Sequence, residues 1–74
     1  MNSESVIKWT DKNRPEWFSR IPIEEYEKLA GIGYTPQQIA MYYNIEVNEF
    51  MFYYSLLMSP LKYHYDRGQL LQTA

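Results

Sequence analysis

Residues 35–57, TPQQIAMYYNIEVNEFMFYYSLL, decide the fold because they predict two short helices joined by a tight turn. Thr35 is a favourable N-cap, and Pro36 suits the first helical position because its missing N–H has no partner there. Gln38 stands three residues after the cap, as a capping box requires. Asn44 tolerates the left-handed conformation that ends a helix. We therefore expect a helix from Pro36, a turn at Asn44 and a second helix soon after it.

The apolar spacing of this stretch resembles the helix-turn-helix motif. Counted from Pro36, the fourth, eighth, tenth, fifteenth and eighteenth places of the motif hold Ile39, Tyr43, Ile45, Phe50 and Tyr53. The fifth place holds Ala40, where a larger side chain would wedge the helices apart, and the turn place holds Asn44. The inward stripe of the second helix follows the i, i+3, i+4, i+7 rule and consists of Val47, Phe50, Tyr53, Tyr54 and Leu57.

The outward side of the second helix departs from the usual chemistry of a DNA-reading helix. Such helices present Arg, Lys, Asn or Gln to the bases, and here only Asn48 and Ser55 qualify. Phe52 and Leu56, with Met51 at the edge, predict a second apolar face instead. We expect this face to be covered by the N-terminal segment, by a fourth helix or by another protein chain.

A further helix is predicted before this pair, in residues 22–30, PIEEYEKLA. Its apolar stripe consists of Ile23, Tyr26, Leu29 and Ala30. Acidic residues near its start complement the helix dipole, and Gly31 and Gly33 should end it. Together with the helix-turn-helix pair, this helix makes a trihelical core.

A fourth helix is predicted after the pair. Ser59 followed by Pro60 is a cap followed by proline, so the helix should run from Pro60 toward the C-terminus. Its shared face consists of Leu61, Tyr65, Gly68 and either Leu71 or Gln72. Gly68 should allow a close approach to a neighbouring helix, at a cost of about 1 kcal/mol in helix propensity.

Residues 1–20 are polar and charged, follow neither a helical nor a strand period, and predict an irregular N-terminal arm. Pro15 should start one helical turn within it. Trp9 and Trp17 have two interpretations: they lay the arm across the small core, or they dock it on another subunit. The sequence thus predicts an all-α fold, a small trihelical helix-turn-helix domain at 21–74 with this arm and a C-terminal fourth helix.

The composition excludes several kinds of site. The 74 residues contain no Cys, so neither disulfides nor thiolate metal sites can form, and His64 has no second His with which to bind a metal. No Gly-rich phosphate loop or nucleophile motif is present, which predicts a protein that is not an enzyme and carries no cofactor. Without a signal peptide or an apolar run of about eighteen residues, we expect an intracellular protein with no membrane contact.

The net charge weighs against strong DNA binding by a single copy. Lys and Arg number 7 and Asp and Glu 9, so the formal charge is −2 and the pI lies near 5.2. Nonspecific attraction to nucleic acid comes mainly from cations that neutralise phosphates. Binding of a monomer to duplex DNA should therefore be weak and should fall steeply with salt.

Two segments carry a more specific resemblance. GIGYTPQQIAMYYNIEVNEF, residues 31–50, followed by YHYDRGQLL, residues 63–71, is similar to the N-terminal domain of phage terminase small subunits and related short phage helix-turn-helix proteins. This resemblance implies recognition of viral DNA for genome packaging and delivery to a large terminase, usually from a ring-shaped homo-oligomer. It also implies a location in the host cytoplasm.

Two functions follow from these features, and fold alone does not choose between them. The first is DNA binding, with phosphate or groove contacts from Gln37, Gln38, Asn48, Ser55, Lys62 and Arg67. The second is a protein-interaction module of the same fold, acting in phage assembly or as a virion component, with contacts from Trp9, Trp17, Met51, Phe52 and Leu56. The motif favours the first function, and the acidic composition favours the second.

Overall fold

The computed structural model describes residues 7–73, so residues 1–6 of the predicted arm lie outside it. The described residues form four α-helices, α1 (Ile23–Ile32), α2 (Pro36–Tyr42), α3 (Val47–Tyr54) and α4 (Pro60–Thr73), after a 3-10 helix at Glu16–Arg20. No β-strand occurs in residues 7–73, although an isolated parallel bridge joins Lys8 to Leu57. The predicted all-α fold is confirmed.

The pair formed by α2 and α3 has the predicted caps. Thr35 Oγ1 accepts a hydrogen bond from Gln38 N at 3.1 Å, and Gln38 Oε1 accepts one from Thr35 N at 2.9 Å. Asn44 has the predicted left-handed conformation, with φ 60°. The N–H of Ile45 then donates to the Ala40 carbonyl at 2.8 Å, which completes a Schellman-type helix end. Local chemistry therefore sets both the start of α2 and the corner after it.

The core lies between two helix pairs. α1 packs most extensively against α4, and α2 packs against α3. Phe50 on α3 joins the pairs: it is fully buried, and its ring centroid lies 6.5 Å from that of Tyr26 on α1 and 6.2 Å from that of Tyr54. The buried core residues are Ile21, Tyr26, Leu29, Ala30, Ile39, Ala40, Ile45, Phe50, Leu61 and Tyr65.

The contact between α1 and α4, which we call the α1–α4 seam, brings two helix backbones together. A Cβ atom added to Gly68 would overlap the Glu27 carbonyl, so no side chain fits at this position. Tyr26 Oη donates to the Leu61 carbonyl at 2.6 Å across the same seam. The predicted close approach at Gly68 is therefore confirmed.

Gly31 and Gly33 are both predicted to end α1. The helix continues through Gly31 to Ile32. Gly33, with φ 117°, ends the helix in the left-handed conformation. Gly31 serves the α1–α4 seam instead, because a Cβ atom there would overlap Gln72 Cγ. Gln72 therefore takes the last place of the α4 face that packs on α1, although its side chain, like that of Leu71, is exposed. The predicted helix end is therefore correct for Gly33 and wrong for Gly31, because helix termination and close approach both select glycine.

α3 is shorter than predicted and ends before Ser55. Ser55 Oγ donates to the Met51 carbonyl at 2.9 Å, and the chain then leaves the helix. Leu57, predicted to face inward, is 53% exposed, and its N–H donates to the Ile7 carbonyl at 3.0 Å. Leu56, predicted to face outward, is buried. The two leucines exchange their predicted orientations because the chain after α3 pairs with the arm instead of continuing the helix.

The described part of the arm, residues 7–20, lies across the helical core. Glu16–Arg20 form the predicted helical turn as a 3-10 helix. Trp17 stacks on Phe50 with ring centroids 5.8 Å apart, and Trp9 meets Tyr53 edge-on at 6.0 Å. The structure thus has the first of the two predicted arrangements, in which the tryptophans pack within the chain.

Candidate functional site

The candidate DNA-contacting surface is the outer face of α3, which we define as Asn48, Phe52 and Ser55. Asn48 is exposed, and among the described residues its side chain has no hydrogen-bond partner. Phe52 is 49% exposed and meets the Tyr53 ring edge-on at 5.1 Å. The Ser55 hydroxyl is bonded to helix carbonyls. Of these three groups, the Asn48 amide is the one left free to pair with a base edge.

The N-terminal end of α3 is negatively charged. Glu46 is its N-cap, and the carboxylate accepts hydrogen bonds from Asn48 N at 3.1 Å and Glu49 N at 2.9 Å. Glu49 accepts a further hydrogen bond from Trp17 Nε1 at 3.1 Å. Carboxylates are favourable beside the positive end of the helix dipole, so they stabilise α3. The Glu46 carboxylate also occupies N–H groups with which a helix end otherwise binds a phosphate.

At the start of α2 the two predicted glutamines differ in availability. Gln37 is exposed, and no hydrogen bond of its side chain occurs within residues 7–73. Gln38 uses its side-chain carbonyl in the capping box with Thr35. A phosphate accepts hydrogen bonds from the amide nitrogen alone, so both glutamines can donate to one, but the capping box holds the Gln38 side chain in place.

The two cations of α4 already have carboxylate partners. Lys62 Nζ lies 2.9 Å from Asp66 Oδ2, and the hydrogen bond to Asp66 together with its negative charge raises the pKa of Lys62. Arg67 Nη1 lies 2.7 Å from Glu27 Oε1. Both cationic side chains are still about half exposed. A phosphate that approached either of them would compete with an existing ion pair.

Glu27 is a buried carboxylate that the sequence pattern did not single out. It is 8% exposed, and in addition to Arg67 its Oε2 atom contacts His64 Nδ1 at 2.7 Å. Burial of a carboxylate is tolerated only when the charge is paired and hydrogen-bonded, as it is here. A weak sequence signal was the position of Glu27 three residues before Ala30, on the buried face of α1. The cluster holds α1 to α4, and within residues 7–73 no group of acidic and His side chains could hold a metal ion.

Glu25 connects α1 to α2. It accepts hydrogen bonds from Tyr43 Oη at 2.9 Å and from Tyr42 Oη at 3.3 Å. Burial raises the pKa of Tyr43, and the negative charge of Glu25 raises the pKa of Tyr42. Both phenols therefore remain protonated donors at neutral pH, and both hydroxyls have a protein partner.

The residues predicted for a protein interface do not form one exposed surface. Trp9, Trp17 and Met51 are partly buried and pack against the core, and Leu56 is buried. Phe52 remains largely exposed. The predicted cover over the outer apolar face is therefore the chain itself for Leu56, whereas Phe52 is open in the single chain.

Comparison with protein-family models, with curated proteins and with solved structures finds no match to this chain. In the described part of the chain, none of the helices is long and apolar enough to cross a membrane. The resemblance to terminase small subunits therefore rests on the sequence pattern alone.

Proposed function

We propose that this protein is a non-enzymatic DNA-binding module of the helix-turn-helix type that acts, like phage terminase small subunits, in viral genome packaging. The observation that carries the proposal is the geometry of α2, the Asn44 corner and α3. The corner joins two short helices in the order and spacing of the motif, and the outer face of α3 is left outside the core. Asparagine amides pair with the adenine edge in the major groove, and the free amide of Asn48 could make this contact.

The charges near α3 set the expected strength of this binding. Glu46 and Glu49 place negative charge at the helix end that would approach the duplex, and Lys62 and Arg67 are ion-paired. A single copy should therefore bind weakly. A homo-oligomer that presents several α3 faces to one duplex would raise the affinity through effective concentration, without any new contact. The proposed partners are duplex DNA, further copies of this chain and a large terminase.

A solution measurement of mass with and without a short duplex at low salt tests the proposal. We expect a complex that dissociates as salt rises. Asn48→Asp should weaken it, because the variant sets a carboxylate against the duplex. Gln72→Glu adds the same charge near the C-terminal end of α4 and should leave the complex nearly unchanged. The proposal fails if the parent protein does not bind, or if both variants bind as the parent does.

A second candidate function, protein interaction, is favoured by the exposure of Phe52. An aromatic ring open to solvent at the centre of a helix face is a typical anchor for an apolar pocket on a protein partner. Self-association of the parent without DNA that is lost in Phe52→Ser, with an unchanged thermal melt, would support this function. Duplex binding that persists unchanged in Phe52→Ser would assign the ring to a surface separate from the DNA contact.

A further inference from the structure

We infer that the N-terminal arm, residues 7–20, is the element that contacts the DNA phosphates. The inference rests on the DNA binding proposed above. It concerns a different part of the molecule from α3. The helices α2 and α3 contain no Lys or Arg, and the arm supplies such cations.

The positive charge of the chain is concentrated in the arm. Residues 7–20 hold four cations, Lys8, Lys12, Arg14 and Arg20, against two carboxylates, Asp11 and Glu16, which gives a net charge of +2. Residues 21–73 hold three cations against six carboxylates, which gives a net charge of −3. An anionic partner is therefore attracted to the arm and repelled by the helical body.

The arm cations are also available. All four side chains are exposed, and the ion pairs of the described residues involve none of them. The α4 cations Lys62 and Arg67, in contrast, are paired with carboxylates. A phosphate contact by an arm cation displaces counterions and water but breaks no ion pair among residues 7–73.

The arm is held beside the outer face of α3. Trp17 donates to Glu49 through Nε1, and Trp9 meets the ring of Tyr53 edge-on. Glu49 and Tyr53 are one helical turn apart, on the edge of α3 that adjoins Phe52 on the outer face. A duplex that lay against this face would therefore have its sugar-phosphate backbone near the arm.

Hydrogen bonds within the single chain hold the arm in place. Asn13 Oδ1 accepts from Thr10 N at 2.8 Å, and Asn13 Nδ2 donates to the Lys8 carbonyl at 2.9 Å, so side-chain bonds close the turn that carries Lys12. The N–H of Trp9 donates to the Leu57 carbonyl at 2.9 Å and anchors the start of the arm. Binding therefore loses less backbone entropy than it would with a free tail. Phosphate contacts of this kind position a protein on DNA, while groove contacts read the bases.

Two charge-matched variants test the inference. Lys12→Gln with Arg14→Gln lowers the charge of the arm by two, and Lys28→Glu, at an exposed position of α1, lowers the charge of the helical body by two. Binding of each variant to a short duplex is measured over a range of salt concentrations, and thermal melts establish that each remains folded. The arm variant should lower the slope of log K against log salt by about two, one for each phosphate contact, and the body variant should leave the slope unchanged.

Each other outcome has a defined meaning. A parent protein that does not bind the duplex at low salt overturns the proposed function and this inference with it. A parent that binds while the arm variant keeps the parental slope overturns the inference alone, as does a body variant that lowers the slope by as much as the arm variant. Tighter binding of the parent to phosphatidylserine vesicles than to the duplex would also overturn it, because the arm would then serve a lipid surface.

Discussion

The two helix pairs of this protein are held together in different ways. The α2–α3 pair depends on bonds between near neighbours, such as the capping box between Thr35 and Gln38, three positions apart, and the Asn44 corner. The α1–α4 seam depends on partners far apart in the chain. Glu27 pairs with Arg67, and Gly68 has no side chain and so allows close contact with the Glu27 backbone. Short-range bonds form with little loss of chain entropy, whereas the seam forms only when the whole domain closes. The α2–α3 pair is therefore a unit defined by local bonds, whereas the seam is formed only in the complete folded domain.

The largest expected effect comes from Phe50, where the helix-turn-helix pair meets the arm and α1. Phe50→Ala should lower the free energy of unfolding by about 3–5 kcal/mol, because a buried aromatic side chain is lost and a cavity is left. Urea titration followed by circular dichroism measures the change. Phe52→Ala on the same helix is the matched control, because its ring is half exposed and should cost far less. Equal losses in the two variants would mean that α3 does not present Phe50 to the core.

Gly68→Ala tests the seam directly. Alanine favours a helix by about 1 kcal/mol over glycine, so a loose seam would make this variant more stable. We expect a net loss of about 1–3 kcal/mol instead, because the new Cβ atom must push the Glu27 backbone away. Leu70→Ala on the exposed side of α4 is the control and should change stability little. A stabilising Gly68→Ala would contradict the close contact between the two helices.

Glu27→Gln separates the charge of the seam from its shape. The variant keeps the volume and weakens the bonds to His64 and Arg67, and we expect a loss of about 1–2 kcal/mol, since water screens the exposed part of Arg67. Glu24→Gln, an exposed change on the same helix, is the control. A double-mutant cycle with Arg67→Gln measures the coupling. Equal melts for Glu27→Gln and Glu24→Gln would show that the buried charge contributes nothing to the seam.

The smallest expected effect is a loss of stability at alkaline pH. Burial, followed by the charges of neighbouring groups, raises the pKa of Tyr26 above its ordinary value of 10.0. Because the pKa of Tyr26 is higher in the folded protein than in the unfolded one, its contribution to stability is intact below pH 10. That contribution is lost as the pH rises toward the folded-state pKa. At about pH 10.5, one tyrosine with such a raised pKa lowers the free energy of unfolding by about 0.8 kcal/mol. Tyr26→Phe should therefore lose less stability than the parent between about pH 8 and about pH 10.5. Parallel pH profiles would indicate that the phenol of Tyr26 is not buried in the seam.

The sequence by itself determined the features that depend on neighbouring residues. The capping box of α2, the left-handed Asn44, the start of α4 after Ser59 and the helical turn after Pro15 all follow from local backbone chemistry. The inward place of Phe50 followed from helical period, because a side chain buried on one face must recur every third or fourth residue. The all-α class and the existence of each helix were predictable for the same reason.

Tertiary structure alone decided how the elements meet and which side chains remain free. Glycine at position 31 reads as a helix stop, and it became a contact only because Gln72 lies opposite. The sequence pattern placed Glu27 only among the acidic residues near the start of α1, and its partners His64 and Arg67 come from α4. Because Arg67 pairs with Glu27, it is not a free cation of the candidate site. The arm cations form no ion pair with the carboxylates of residues 7–73. These outcomes depend on residues that are distant in the chain, and no period or cap in the sequence encodes which distant partner a side chain will meet.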